Sequence, residues 1–371
     1  MDNILYIGPD VKERYKGGIM TIYLSFKKAN HQNLLNFDGY NFELFNSHAL
    51  PQSKNSEGKF TLQNIIQGIF LCVRLFIKLK EHNYKIVHYN TSASWPMIKD
   101  LLILHVAKIF SKNSKVLIHI HFCGIDDVFV KNKILRKFQI SLLKKNEVIV
   151  LSNTFKNELI TLEFDSRKVH FLPNFHNKTI HTIEKDLDLS NTFSLLFIGS
   201  ISLRKGFLDL LYSLSQVNIQ YVLNVMGEFE NDNIKKQCLT YVENNNLNVI
   251  FHGYKVGQEK DDIIRKSKIL ILPSYAEGFP LVIPEALSFG LVVVSTYISA
   301  IPEIIQNNHN GFLFNPGDIL ELKKILEKLY FDRELLKQAS IKSFNSSKKY
   351  TFENHIFELK NIYNNILNYH E

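Results

Sequence analysis

The sequence predicts an α/β protein of two doubly wound domains, each with a parallel sheet covered by helices on both faces. Three observations predict this class. The chain has 371 residues, which is more than one hydrophobic core usually supports. Short apolar runs alternate with longer amphipathic runs throughout, as in repeated βα units. The apolar runs form two series of about six, which the polar, weakly periodic stretch His176–Asn191 separates.

The first series predicts an N-terminal domain over residues 1–180. Its predicted strands are Ile4–Gly8, Phe42–Asn46, Lys85–Asn90, Val116–His121, Val148–Ser152 and Val169–Pro173. The predicted helices between them include Met20–Phe26, Leu62–Lys80, Met97–Phe110 and Lys131–Lys144.

The second series predicts a C-terminal domain over residues 190–345. Its predicted strands are Ser194–Gly199, Tyr221–Gly227, Val249–Gly253, Lys268–Pro273, Leu291–Ser295 and Gly311–Phe314. A last helix is predicted within residues 346–371, over Thr351–His370.

Composition favours a cytoplasmic protein. Three widely spaced cysteines form neither a disulfide framework nor a metal pattern. The sequence enters its first predicted strand without a signal peptide pattern, and no apolar run has the length of a membrane span.

The positive charge lies in the first half of the chain. Residues 1–180 carry 25 Lys and Arg against 14 Asp and Glu, whereas residues 181–371 carry 19 against 22. We therefore expect an anionic partner of the first half, such as an anionic membrane surface or a pyrophosphate-linked acceptor. Two alternatives are open for the predicted helix Ile65–Lys80. It lies on such a membrane, or it packs on a sheet with its basic side chains in water. Without a compact basic run with interleaved aromatics, nucleic acid is not an expected partner.

The segment 274–290 combines two carboxylates with a helix start. Glu277 follows the apolar run Ile269–Pro273, and Glu285 lies seven residues later. Pro280 and Pro284 indicate that the helix begins near Leu281, because proline is tolerated in a first turn. Free amides of Phe279, Leu281, Val282 and Ile283 would then suit an anion, and the carboxylates would suit hydroxyl groups. The simpler alternative is that both carboxylates only complement the helix dipole.

This segment resembles the donor motif of glycosyltransferase family 4. The resemblance implies the GT-B fold, in which two Rossmann-like domains face each other across a cleft. It also implies a retaining reaction that needs neither a metal nor another cofactor. By resemblance, Glu277 contacts the donor sugar, the backbone of Gly278, Phe279, Pro280 and Leu281 contacts sugar and diphosphate, and Glu285 holds the ribose. In this fold the closing helix crosses back to the first domain.

The segment Gly199–Gly206 resembles the family's phosphate loop, with one departure. Lys205 matches the family's lysine before the second glycine, but Ser200 stands where the family has arginine. The neighbouring Arg204 is a second candidate for neutralising phosphate charge.

Further candidates come from three other strand ends. Gly17 and Gly18 precede a helix and, by resemblance, lie near the donor phosphates. His119 and His121 share one face of a strand. No further metal-type ligand stands at suitable spacing, so we do not expect a metal here. By resemblance, a histidine at this strand end faces the donor sugar, and His121 is the candidate because it lies nearest the end of the strand. We expect His119 to lie in the core. Tyr254 follows a strand where relatives contact the nucleobase.

These features and the family resemblance together predict a cytoplasmic glycosyltransferase that acts at the inner face of the membrane; the resemblance implies that it is retaining and metal-independent. The donor is a nucleotide diphosphate-sugar, and the acceptor is a glycan or lipid-linked glycan of a bacterial surface polysaccharide or lipopolysaccharide. Glu277, His121 and Lys205 are the expected catalytic residues. Three alternatives stay open: a nucleotide-sugar 2-epimerase on the same fold, a glycoside hydrolase using Glu277 and Glu285, and an inactive relative that serves as a binding subunit.

Overall fold

The computed structural model describes residues 2–10, 17–32, 35, 39–47, 62–110, 113–178 and 193–368. The chain divides into two compact units. The first unit contains Met1–Asn174 and His355–Glu371, and the second contains Phe175–Asn354. Most of the predicted linker, His176–Asn191, lies outside the described residues, and the predicted domain boundaries stay a prediction.

The first unit contains one parallel six-stranded sheet. Its strands are β1 (Asp2–Gly8), β2 (Tyr40–Asn46), β3 (Ile86–Thr91), β4 (Lys115–Ile120), β5 (Glu147–Val150) and β6 (Val169–Phe171), in the order β2-β1-β3-β4-β5-β6. The helices between them are α1 (Gly18–His31), α2 (Leu62–Glu81), α3 (Ser94–Phe110), α4 (Ile125–Val128), α5 (Lys133–Leu143) and α6 (Asn153–Thr161).

The second unit contains another parallel six-stranded sheet. Its strands are β7 (Phe193–Ile198), β8 (Tyr221–Met226), β9 (Val249–Gly253), β10 (Ile269–Leu272), β11 (Val292–Thr296) and β12 (Gly311–Phe314), in the order β12-β11-β10-β7-β8-β9. The helices are α7 (Phe207–Leu214), α8 (Asp232–Asn244), α9 (Gly257–Lys266), α10 (Val282–Ser288), α11 (Ile301–Ile304), α12 (Ile319–Phe331) and α13 (Arg333–Ser347).

The last helix, α14 (Phe352–Asn368), packs in the first unit from His355 onward. The hydroxyl of Tyr363, which is fully buried, lies 2.7 Å from Nδ1 of His88 on β3. Nδ1 of His355 lies 2.8 Å from the carbonyl oxygen of Pro173 and donates to it. The first unit therefore takes part of its core from the end of the chain.

The predicted fold class is confirmed, since two parallel sheets are surrounded by helices. Strands such as β5 and β10 are buried along their whole length, as expected for parallel strands covered on both faces. Side-chain caps begin several helices where the chain leaves a strand or turn: Asn132 for α5, Ser152 for α6, Asn231 for α8, Asp318 for α12 and Asp332 for α13. Among the described helices, none is both long enough and apolar enough to span a bilayer.

Candidate functional site

The loop after β7 lies against the end of β10 because of a glycine. Gly206 has a φ of +64°, and a Cβ atom there would lie 2.0 Å from the carbonyl oxygen of Pro273. Both the left-handed backbone and the close approach require glycine. Two hydrogen bonds fix the same contact: Tyr275 N donates to Arg204 O at 2.9 Å, and an Arg204 guanidinium nitrogen donates to Ala276 O at 2.7 Å. The phosphate-loop candidate and the loop after β10 thus form one structure.

A second glycine packs the ends of β7, β8 and β9 together. Gly227 has a φ of +153°, and a Cβ atom there would lie 1.8 Å from Gly199 O. Gly227 N donates to Gly253 O at 3.0 Å, and Gly199 N donates to Met226 O at 2.9 Å. Ligands of doubly wound folds bind at this carboxyl edge of the sheet.

Glu277 and Lys205 form a buried ion pair at this edge. Lys205 Nζ lies 2.5 Å from Glu277 Oε1, and the two side chains are 14% and 7% exposed. The hydroxyl of Ser274 donates to the same carboxylate oxygen at 2.7 Å. A buried charge needs such partners, because moving a charged group out of water without a counter-charge or hydrogen bonds costs on the order of several kcal/mol. Two candidates from loops about seventy residues apart are therefore in direct contact.

The helix after Glu277 begins where it was predicted. α10 starts at Val282 with Leu281 as its N-terminal cap residue. Gly278, Phe279 and Pro280 are buried, and the Phe279 ring packs 5.9 Å from the Tyr350 ring. The prediction of a free Ile283 amide is wrong: Ile283 N donates to Pro280 O at 3.0 Å, because the chain makes a tight turn before the helix.

Glu285 lies in the first turn of α10 and is held by lysines. Its Oε2 atom lies 2.5 Å from Lys260 Nζ, and its Oε1 atom lies 3.6 Å from Lys178 Nζ. Lys178 also contacts Asp261 at 2.5 Å. The sequence analysis missed both lysines, because no local pattern indicates a partner that is distant along the chain. Each carboxylate of the motif thus has a lysine counter-charge.

Tyr254 follows β9 at the same edge of the sheet. Its backbone N donates to Glu228 Oε1 at 3.3 Å. Glu228 also stands beside Gly253, whose added Cβ atom would lie 3.6 Å from Oε1. Sequence reasoning missed Glu228, although it directly follows Gly227, the glycine just after β8.

Gly17 and Gly18 lie at the start of α1 in the first unit and are both exposed. Gly17 has a φ of −70°, and a Cβ atom there would meet no atom of the described residues within 4 Å. Packing against the described residues therefore does not require glycine at position 17. The neighbouring residues 11–16 lie outside the described residues.

His119 and His121 stack on each other at the end of β4. Their ring centroids are 4.1 Å apart, as their shared face predicts, and the two residues are 1% and 8% exposed. Burial, together with a smaller contribution from the nearby His355 imidazole, lowers the pKa of His121 to about 3. Burial also holds the pKa of His119 well below its usual value. Both rings are therefore neutral near pH 7.

The contacts of Asn90 determine which nitrogen of His121 carries the proton. Asn90 Nδ2 donates to Ile7 O at 2.8 Å, and a carbonyl oxygen can only accept. Asn90 Oδ1 consequently faces His121 Nε2 at 2.7 Å, so Nε2 must be the donor. His121 Nδ1 is left as an acceptor without a hydrogen-bond partner among the described residues. This ring is suited to accepting a hydroxyl hydrogen rather than to carrying positive charge.

The second unit brings together Lys205, Glu277 and Arg204 on two neighbouring loops, and it also carries Tyr254 and Glu285. The first unit carries Gly17, Gly18 and His121. Across the part of the chain that the structure describes, no group of three or more His, Cys, Asp or Glu residues is placed to hold a metal ion.

Comparison with known proteins finds similarity to glycosyltransferases. Residues 180–345 match the model of the family described as glycosyl transferases group 1. An uncharacterized glycosyltransferase of Methanocaldococcus jannaschii is 28% identical over 246 residues, which cover 65% of this chain and 66% of that protein. The lipopolysaccharide 1,6-galactosyltransferase of Escherichia coli is 31% identical over 172 residues, which cover 43% of this chain and 46% of that enzyme.

A solved structure shows the same fold over the full chain. HepE of Anabaena in complex with UDP-glucose has a TM-score of 0.71 and 17% identity, and the match covers 99% of both chains. The family match, the relatives and the fold together support a glycosyltransferase of the GT-B fold.

Proposed function

We propose that this protein is a retaining, metal-independent glycosyltransferase that moves a sugar from a nucleotide diphosphate-sugar to an acceptor hydroxyl. The observation that carries the proposal is the buried pair of Lys205 and Glu277 at the carboxyl edge of the second sheet. An ammonium group and a carboxylate at one strand edge suit a ligand with phosphate and hydroxyl groups side by side. The match of this unit to glycosyl transferases group 1 supports the same assignment.

In the proposed reaction, the bond between the anomeric carbon and the diphosphate breaks as the bond to the acceptor oxygen forms. Negative charge then develops on the leaving diphosphate, and Lys205, Arg204 and the backbone amides after Glu277 stabilise it. Glu277 orients the donor sugar through its hydroxyl groups, and Glu285 holds the ribose. The acceptor proton passes to a phosphate oxygen of the leaving group, so no protein nucleophile is assigned.

We assign His121 to the donor sugar, where its unprotonated Nδ1 accepts a hydrogen bond from a sugar hydroxyl. Tyr254 lies beside the nucleobase, and Gly17 and Gly18 lie near the phosphates. UDP is the first nucleotide to test, because HepE of Anabaena was solved with UDP-glucose. A glycan of lipopolysaccharide or surface polysaccharide is the proposed acceptor class, and the relative from Escherichia coli supports it.

The test is thermal stabilisation by UDP, GDP, ADP and CMP, each with and without EDTA. A ligand that binds only the folded protein raises its melting temperature. We expect a selective shift with one diphosphate that EDTA does not change. A shift that disappears with EDTA would contradict the metal-free site.

Ser200 gives a second candidate function some support. Ser200 is exposed, and by the resemblance to glycosyltransferase family 4 it stands where an arginine is expected, so the diphosphate would lack one charged contact. An inactive binding subunit is therefore the rival proposal. Nucleotide-sugar binding without turnover, even with a glycan-lipid acceptor mixture, would favour that rival.

A further inference from the structure

Helix α2 is apolar on two opposite faces. Leu71, Leu75 and Leu79 form the buried face. Five large apolar residues lie on the other side of the helix and are 42–61% exposed: Ile66, Ile69, Phe70, Val73 and Ile77. Their spacing of three and four residues places them in one stripe along the helix.

The neighbouring helices continue this apolar surface. α3 contacts both α2 and α5. On α3, Met97, Leu101 and Leu104 are buried, while the outward side carries Trp95, Leu102 and Val106 at 40–46% exposure. On α5, Ile134 and Phe138 are 80% and 44% exposed. We call these ten exposed side chains on α2, α3 and α5 the outer apolar face.

Such a surface differs from ordinary exposed hydrophobic residues. Single apolar side chains on a surface are normal, and a surface helix usually carries one apolar stripe that faces the core. Here α2 and α3 each carry a second stripe opposite the first. Contiguous exposed apolar surface of this kind marks a site of interaction with a protein or a membrane.

The charge of the same three helices is positive. They contain eight Lys and Arg residues and two acidic residues. One of the acidic residues, Asp100, is buried and accepts hydrogen bonds from Tyr89 at 2.9 Å and Thr91 at 2.7 Å. Three cations of these helices have acidic partners: Lys99 lies 3.5 Å from Asp100, Arg136 lies 3.3 Å from Asp126, and Lys78 contacts Glu43. Lys133 and Lys137 are exposed on α5, the helix that also carries Ile134 and Phe138.

We propose that the outer apolar face docks the first unit on an anionic lipid bilayer. Basic groups beside apolar side chains match the two layers of a membrane surface, because the cations meet lipid phosphates while the apolar groups enter the acyl boundary. Trp95, the only tryptophan in the chain, is 46% exposed here, and its amphipathic ring suits the headgroup region. The contact is shallow and needs no spanning helix.

This docking does not depend on the proposed transfer reaction. If that reaction takes place, docking holds the first unit beside a lipid-linked acceptor. Vesicle binding is measured without any nucleotide or acceptor, so failure of docking and failure of the proposed function are separate results.

The test is co-sedimentation of the full chain with vesicles of phosphatidylcholine that contain about one third phosphatidylglycerol. The triple variant Ile69→Ser/Val73→Ser/Ile77→Ser removes three outward side chains that do not belong to the buried face. We expect its vesicle partition coefficient to fall about a hundredfold, because each side chain loses part of its transfer free energy. The matched control is Leu320→Ser/Phe331→Ser on α12, whose side chains are 59% and 70% exposed. It should bind as the unmodified chain does.

A charge variant tests whether the cations of this face attract the protein to lipid phosphates. Lys133→Gln/Lys137→Gln should lower binding about thirtyfold, and vesicles of phosphatidylcholine alone should bind weakly. Circular dichroism should show that each variant is folded. Vesicle binding that neither set of substitutions weakens would overturn the proposal. It would also be overturned if the triple variant turned a dimer into a monomer with unchanged vesicle binding, since the face would then join two copies of the chain.

Discussion

Glu277→Gln is predicted to tighten nucleoside diphosphate binding while it removes sugar transfer. The carboxylate of Glu277 holds the ammonium group of Lys205 in a pair that is largely shielded from water. A diphosphate that uses Lys205 therefore competes with Glu277 for the same cation. Glutamine keeps the side-chain shape and still accepts the hydrogen bond from Ser274, but its amide carries no competing charge.

The size of the effect follows from the geometry of the pair. Two unit charges about 4 Å apart interact by about 4 kcal/mol at an effective dielectric constant of about 20. Desolvation offsets most of that energy in a buried pair, so a net gain of about 1–2 kcal/mol is expected for the diphosphate. This corresponds to about tenfold tighter binding. Turnover should fall about a hundredfold or more, because the donor sugar loses a charged contact.

Isothermal titration calorimetry with the diphosphate that stabilises the protein measures this change. Glu285→Gln is the matched control, because the Glu285 carboxylate also lies beside lysines, Lys260 and Lys178. Since Glu285 is proposed to hold the ribose, its substitution should weaken the same ligand about tenfold. Unchanged or weaker diphosphate binding by Glu277→Gln would refute the competition for Lys205. Full turnover by that variant would refute the proposed role of Glu277.

Three further predictions address stability, pH and the phosphate loop. Gly206→Ala should lower the free energy of unfolding, measured in urea, by more than about 3 kcal/mol, whereas Gly17→Ala should change it by less than about 1 kcal/mol. Equal losses of unfolding free energy in the two variants would contradict the packing argument. In the folded protein, burial lowers the pKa of His121 to about 3 and that of His355 to about 4. A histidine in the unfolded chain has a pKa of about 6.5, so below that pH the unfolded chain binds more protons than the folded chain does. The unfolding free energy should therefore be fully present above about pH 6.5 and decrease as pH falls toward 4, and a flat profile between pH 7 and 5 would show these rings to be solvated. Ser200→Arg should tighten diphosphate binding severalfold in calorimetry, and no gain would indicate that Arg204 already supplies that charge.

Much of the fold follows from hydrophobic patterning. β9 and β12 span the predicted residues, and the other predicted strands agree within about two residues at most ends. Apolar runs that are buried on both faces are short and end at glycine or polar residues, which makes them easy to delimit. The start of α10 was predictable because proline restricts where a helix can begin.

Long-range pairs within the site were not predictable from the sequence. The contact of Lys205 with Glu277 depends on the loops after β7 and β10 being neighbours, which follows from the strand order and not from either motif. The lysines beside Glu285 come from α9 and from the segment after β6. The exposed apolar stripe of α2 could not be distinguished from the buried stripe by sequence alone, because a sequence does not show which face of an apolar helix is covered by the rest of the fold.

Turnover of nucleotide sugars in EDTA tests the central claim most directly. The purified chain is incubated with a panel of nucleotide diphosphate-sugars and a glycan-lipid acceptor mixture, and released nucleoside diphosphate is measured together with the product's anomeric configuration by NMR. The account predicts release from one donor, a product that keeps the donor's anomeric configuration, and loss of both signals in Glu277→Gln. Release that requires a divalent metal, an inverted product, or unchanged turnover by that variant would contradict it.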